Sequence, residues 1–169
     1  MIIRPIGSLT LTGKLTFTYR LPSYKDGNIY ETSSYTKIVR VSTYENLIVT
    51  TGKIAVARRL AGDLSVTNPG EITFAAVGTG TNAPAISDTT LQTEFFRKIL
   101  SLRSFSANKA ILQMFMTTAE GNANLREFGL FGEAASATPD SGTLFNRVNI
   151  TEDKTSATTL TIEAEITVG

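Results

Sequence analysis

Residues 9–21 read Leu-Thr-Leu-Thr-Gly-Lys-Leu-Thr-Phe-Thr-Tyr-Arg-Leu, with apolar and polar residues taking turns. A period of two is the pattern of a strand with one buried and one wet face, and no helix can gather it onto one side. The N-terminal part of the chain is therefore committed to a sheet. Threonine, present 26 times, extends that commitment, because β-branched residues suit strands. Pro22 ends the run, and Asp26-Gly27 supplies a turn. Alternation resumes over 35–43, so a hairpin with a polar tip at 22–33 is expected.

The period then changes. Over 46–61 only Lys53, Arg58 and Arg59 interrupt the apolar surface of the helix-favouring part, and Gly62-Asp63 is a stop signal. A helix at about 50–61, buried against a sheet, is expected. Residues 72–77 form a short apolar strand, followed by a loop from Gly78 to Asp88. Thr89 and Gln92 fit a capping box, which predicts a short second helix at about 89–95. Strands are expected over 96–105, 109–117, 125–131, 143–150 and 158–168, with Lys154-Thr155-Ser156 joining the last two as a hairpin. Strand starts spaced by roughly ten to fifteen residues point to a mainly β fold, an antiparallel β-sandwich of about seven to nine strands. The 169 residues suit a single domain, 1–169, from which 1–45 would project as a hairpin arm. Lys25, Asp26, Gly27 and Tyr30 at its tip would contact a neighbouring subunit, and deleting 22–33 should weaken assembly and leave folding cooperative.

The chain has no cysteine and no histidine. Disulfides, thiolate metal sites, cysteine nucleophiles, imidazole bases and Ser-His-Asp triads are thereby excluded, as is any histidine pH switch. Lys and Arg number 16 against 15 Asp and Glu, a net charge of +1 that argues against a polyphosphate partner. No apolar run approaches the ~18 residues of a membrane span. Met1-Ile2-Ile3-Arg4-Pro5 lacks a secretory core, so a soluble protein without a signal peptide is expected.

Four patterns could carry chemistry. Gly78-Thr79-Gly80 follows a strand, as a phosphate loop would, but Pro84 and the absence of a Gly-Lys-Ser/Thr ending leave a tight turn in which Gly78 and Gly80 take positive φ. Glu120, Glu127, Glu133 and Asp140 near strand ends could pair as acid and base, and read more simply as solvated turns. Glu163 and Glu165 share one wet strand face. Arg97, Lys98, Arg103 and Lys109 interleave with Phe95, Phe96 and Phe105, as in a single-strand nucleic-acid surface, although core aromatics with outward charges are the simpler reading. Met114 and Met116 are assigned to the core. No catalytic, cofactor-binding or metal residue is expected.

Four phrases occur in a fixed order: Glu45-Asn46-Leu47-Ile48-Val49-Thr50 leading into Ala55-Val56-Ala57-Arg58-Arg59-Leu60-Ala61-Gly62; Ile72-Thr73-Phe74-Ala75-Ala76-Val77-Gly78-Thr79-Gly80-Thr81-Asn82-Ala83-Pro84 through Asp88-Thr89-Thr90-Leu91; Leu125-Arg126-Glu127-Phe128-Gly129-Leu130-Phe131-Gly132; and Gly142-Thr143-Leu144-Phe145-Asn146-Arg147-Val148-Asn149-Ile150 with Lys154-Thr155-Ser156-Ala157-Thr158-Thr159-Leu160-Thr161-Ile162. Together, over residues 35–168, they resemble a family of small bacteriophage structural proteins described as tail, tail-fibre or tail-collar-like virion proteins. The resemblance implies a non-enzymatic virion component, assembled in the host cytoplasm, whose partners are itself and other virion proteins. It would act in the tail, baseplate or collar as a fibre base or adaptor. A capsid decoration protein and a host-glycan-binding fibre module are the alternatives. The physical roles assigned to the phrases are turns and close packing at Gly78, Gly80, Gly129 and Gly132. Phe145, Arg147 and Asn149 are placed opposite Leu144, Asn146, Val148 and Ile150.

Overall fold

The structure, a computed structural model, describes residues 10–25, 28–30 and 36–169. The alternating run forms strand β1 (Leu11–Leu21), with Leu15, Phe17 and Tyr19 buried. There follow β2 (Ser23–Lys25), β3 (Asn28–Tyr30), β4 (Lys37–Ile48), helix α1 (Thr50–Ala61), β5 (Ile72–Gly78), β6 (Glu94–Ile99), β7 (Leu102–Ser106), β8 (Lys109–Met116), β9 (Ala123–Gly132), β10 (Thr143–Lys154) and β11 (Thr159–Val168). The fold is mainly β. Nine strands make one antiparallel sheet in the order β6-β5-β9-β10-β4-β1-β11-β8-β7, and β2 pairs with β3 separately.

The sheet is curled into two facing layers. β4 runs beside β1 from Lys37 to Asn46 but meets β10 only through Leu47 and Ile48, so it hands the sheet from one layer to the other. Phe17 on β1 meets Phe128 on β9 edge-on across the interior, at 6.2 Å between centroids. Met114, Met116, Leu125, Leu130, Leu160 and Ile162 fill the space around them. Each such side chain stabilises by roughly 1.5–3 kcal/mol through burial.

The far side is closed by a corner. The stretch 96–105, expected as one strand, bends at Leu100 and Ser101 into β6 and β7, the two edges of the sheet. The Leu100 N–H donates to the Thr73 carbonyl in one layer, and the Ser101 N–H donates to the Gln113 carbonyl in the other.

Several expectations are corrected. β1 pairs on both sides, with β4 and β11, so the described part of 1–45 is built into the sheet instead of projecting from it. Only the β2–β3 ribbon lies outside the main sheet. Asp26 and Gly27 lie outside the described residues, as do the side chains of Lys25 and Tyr30.

Helix α1 has the expected span and ends on Gly62, at φ +65°, whose N–H reaches the Arg58 and Arg59 carbonyls. It buries only Gly52 and Ala55, however, and Leu60 is 75% exposed. Its first turn is seated on β10. Thr51 Oγ1 donates to the Leu144 carbonyl, and a Cβ at Gly52 would strike the Phe145 carbonyl.

The second helix at 89–95 does not form. The N–H groups of Gln92 and Thr93 point at the Glu127 carboxylate, and Glu94 already begins β6. Gln92 accepts from the Asn82 N–H, so the capping box is not closed.

β10 and β11 do not pair as a hairpin; they belong to opposite layers. β10 also slips register between Leu144 and Asn146 and again between Asn149 and Glu152. The first slip puts Phe145 in the same core cluster as Val148 and Ile150, leaving Leu144 in a second cluster with Val49, Ala76, Leu91 and Phe131.

Candidate functional site

The loop after β5 surrounds a carboxylate of the chain itself. Glu127, on β9, is fully buried. Its Oε1 accepts from the N–H groups of Gly80 (3.2 Å) and Thr93 (2.7 Å). Its Oε2 accepts from the Gln92 N–H and from Arg147 Nε, both at 2.9 Å. A carboxylate has about four lone-pair sites, and all are used. Arg147, on β10, also donates to Asp88 Oδ2 at 2.7 Å and to the Asn82 carbonyl at 3.1 Å. One N–H of the Gly-Thr-Gly turn, two from the segment before β6 and the Arg147 guanidinium thus enclose an anion that the chain itself supplies.

This accounts for the glycines differently from the sequence reading. Neither Gly78 nor Gly80 has positive φ; a Cβ at either would lie 2.5 Å from Glu127 Oε1. The requirement is space, not left-handed backbone. Gly129 answers to the same need, with Leu144 Cδ1 at 2.9 Å and Leu91 Cδ2 at 3.0 Å from a built Cβ, and a Cβ at Gly132 would meet the Glu71 carbonyl.

The other carboxylates singled out are tied into the framework. Glu133 accepts from Arg58 (2.9 Å), Thr143 Oγ1 (2.8 Å) and the Gly70 N–H (3.1 Å), which fastens the end of α1 to the sheet. Glu120 holds Lys98 and caps the Thr117 N–H. Asp140, at φ +59°, donates its N–H to Glu94. Glu163 and Glu165 are met by Gln113 and Lys109. Glu94 forms a buried pair with Arg97 at 2.7 Å, and the guanidinium lies 4.0 Å over the Phe131 ring.

Burial pushes the Asp88 carboxyl up, but the Ala85 N–H and the Arg147 guanidinium outweigh it and hold the group below its ordinary range. Burial likewise opposes Lys98 and the Thr117 N–H at Glu120, and the net shift is again downward. On β1, burial raises Tyr19, and the neighbouring Glu152 carboxylate of β10 raises it further. Tyr44 Oη donates to Glu152 at 2.8 Å, and Arg40 pairs with the same carboxylate at 2.6 Å.

The basic hairpin offers no uncompensated stripe. Arg97, Lys98, Arg103 and Lys109 face Glu94, Glu120, Glu71 and Glu165 respectively. Its aromatics depart from expectation. Phe96 packs on the core, whereas Phe95 and Phe105 are exposed, Phe105 by 80%. Met114 and Met116 are fully buried.

Among the described residues no group of three acidic side chains is placed to hold a metal ion, and no helix is long and apolar enough to cross a membrane. A groove of about 710 Å³ runs beside β1 and β4 near the start of α1, lined by Gly13, Tyr44, Asn46 and Lys53 among others. Comparison with known proteins finds no matching family model, curated protein or solved structure.

Sequence reasoning missed Arg147 as a partner of Glu127, and Asp88 as the second carboxylate held by Arg147. The available signal was a glycine turn without the rest of a nucleotide motif, together with a glutamate leading into the uncharged run 128–132.

Proposed function

We propose that this protein is a non-enzymatic structural component of a bacteriophage virion, which self-associates and docks in the tail, baseplate or collar as a fibre base or adaptor. The four phrases quoted above motivate the setting. The observation that carries a framework role is the occupation of the charged groups. Glu127, Glu133, Glu94 and Arg147 are buried and satisfied within the chain, so each holds one segment to another. A general acid or base needs a group within reach of a substrate, and these are not offered to one.

The test is mass spectrometry of purified particles after separating heads from tails. The protein is expected in the tail fraction. Recovery with heads would replace the tail role by decoration of the capsid exterior, and absence from both would overturn the virion reading.

A further inference from the structure

Three strand edges of the nine-stranded sheet are treated differently. β6 has the 134–142 loop fastened to it, through Arg97 to the Ser141 carbonyl and the Asp140 N–H to Glu94. The β4 edge is blunted by a register shift opposite Tyr19 and Arg20, by Lys37, and by Arg40 turned toward Glu152. Such features are the usual protection against edge-to-edge pairing. Among the described residues nothing covers the β7 edge. All five of its residues are exposed, and Leu102, Phe105 and the adjacent Ile99 are 41%, 80% and 61% exposed.

The hydrogen-bond phase of β7 follows from its hairpin. Ser106 and Lys109 close a two-residue turn, and such a closing pair exchanges hydrogen bonds. Alternation makes Ser104 and Ile111 the next bonded pair, so the backbone groups of Arg103 and Phe105 point away from β8.

We infer that β7 pairs antiparallel with β7 of a second copy, about a two-fold axis at Ser104. That register sets Arg103 opposite Phe105 of the other copy, twice. The outward N–H and C=O groups of those residues then meet each other, and each guanidinium comes beside an exposed aromatic ring, a favourable cation–π neighbour. The chemistry is self-complementary, as a two-fold interface requires. A shift by one residue would turn the outer face of one copy onto the inner face of the other. This pairing is the self-association in the function proposed above, and it is tested apart from the particle. A monomeric protein would overturn the pairing and leave the tail assignment standing, whereas absence from particles would do the reverse.

The experiment uses the full chain. Light scattering across a dilution series should show a dimer, and Phe105→Lys should be monomeric with an unchanged circular dichroism spectrum. Ser104 of the two copies would be a non-hydrogen-bonded pair with Cα atoms ~4.5 Å apart, within the ~4.4–6.8 Å that a disulfide spans. In this cysteine-free chain, Ser104→Cys should therefore form a covalent dimer under mild oxidation at least tenfold faster than Leu64→Cys, at a position that is 85% exposed. A monomeric wild type, a dimer that survives Phe105→Lys, or equal cross-linking of the two cysteine variants would each overturn the β7 interface.

Discussion

At the scale of single residues, the chain places charge where most proteins place hydrocarbon. Glu127 and Arg147 lose their water together, and removing one partner of such a pair leaves the other buried and uncompensated. Arg147→Met should cost about 3–5 kcal/mol, read as a fall in the urea midpoint followed by circular dichroism. Glu127→Gln keeps the size and part of the hydrogen bonding, and Arg147 retains Asp88, so a smaller loss of about 1–3 kcal/mol is expected. Asp88 and Glu120 have lowered folded-state pKa values. Their contribution is present above the ordinary carboxylate range of roughly 4 and is lost as pH falls through the lowered values. The urea midpoint should therefore decline below about pH 4, and more gently in Asp88→Asn. Tyr19 has the opposite sign. Its neutral form is favoured in the fold, so its contribution holds below about pH 10 and is lost as pH rises past that. In a spectrophotometric titration of the five tyrosines, Tyr19 should ionise last, together with unfolding, and Tyr19→Phe should reduce the alkaline loss.

At the scale of elements, period-two alternation located β1, which has one wet face and one buried face, and also β4, although Lys37 to Val41 of that strand are exposed on both faces. The bounds of α1 were legible from Gly62 and the change of period; its exposure was not. An apolar surface shows what a helix could bury, but its seat on the sheet decides what it does bury, here Gly52 and Ala55 with Val56 packed at the margin of the core. Leu60→Gln should thus change stability by less than about 0.5 kcal/mol. Gly52→Ala, which drives a Cβ into the Phe145 carbonyl, should cost about 1–3 kcal/mol. Thermal melts of the two variants measure both. The slips in β10 were invisible for a related reason. Asn146 Oδ1 accepts from the Leu130 N–H at 2.9 Å, and nothing local marks that asparagine as the filler of an irregular ladder. The site was the least legible part. Glu127, Arg147 and Asp88 are far apart in the chain; the pairing of β9 with β10 brings the first two together, and the loop after β5 adds the third. Glu127 was read as a solvated carboxylate near a strand end, whereas both faces of β9 are covered from residue 127 on.

At the scale of the molecule, β1 and β11 lie side by side along their whole length, and their outer ends are fastened. The Thr10 N–H donates to the Gly169 carbonyl at 2.6 Å, and the Gly169 N–H donates back to Thr10 at 2.9 Å. Adjacent ends of antiparallel strands have a mechanical consequence. A force that draws residues 10 and 169 apart acts across the ladder, so its hydrogen bonds open one after another like the teeth of a zip. A force applied between residue 10 and Thr159, at the other end of β11, runs along the strands and loads many bonds at once. Single-molecule extension should find the first geometry soft and the second several times stronger, although the same two strands part in both.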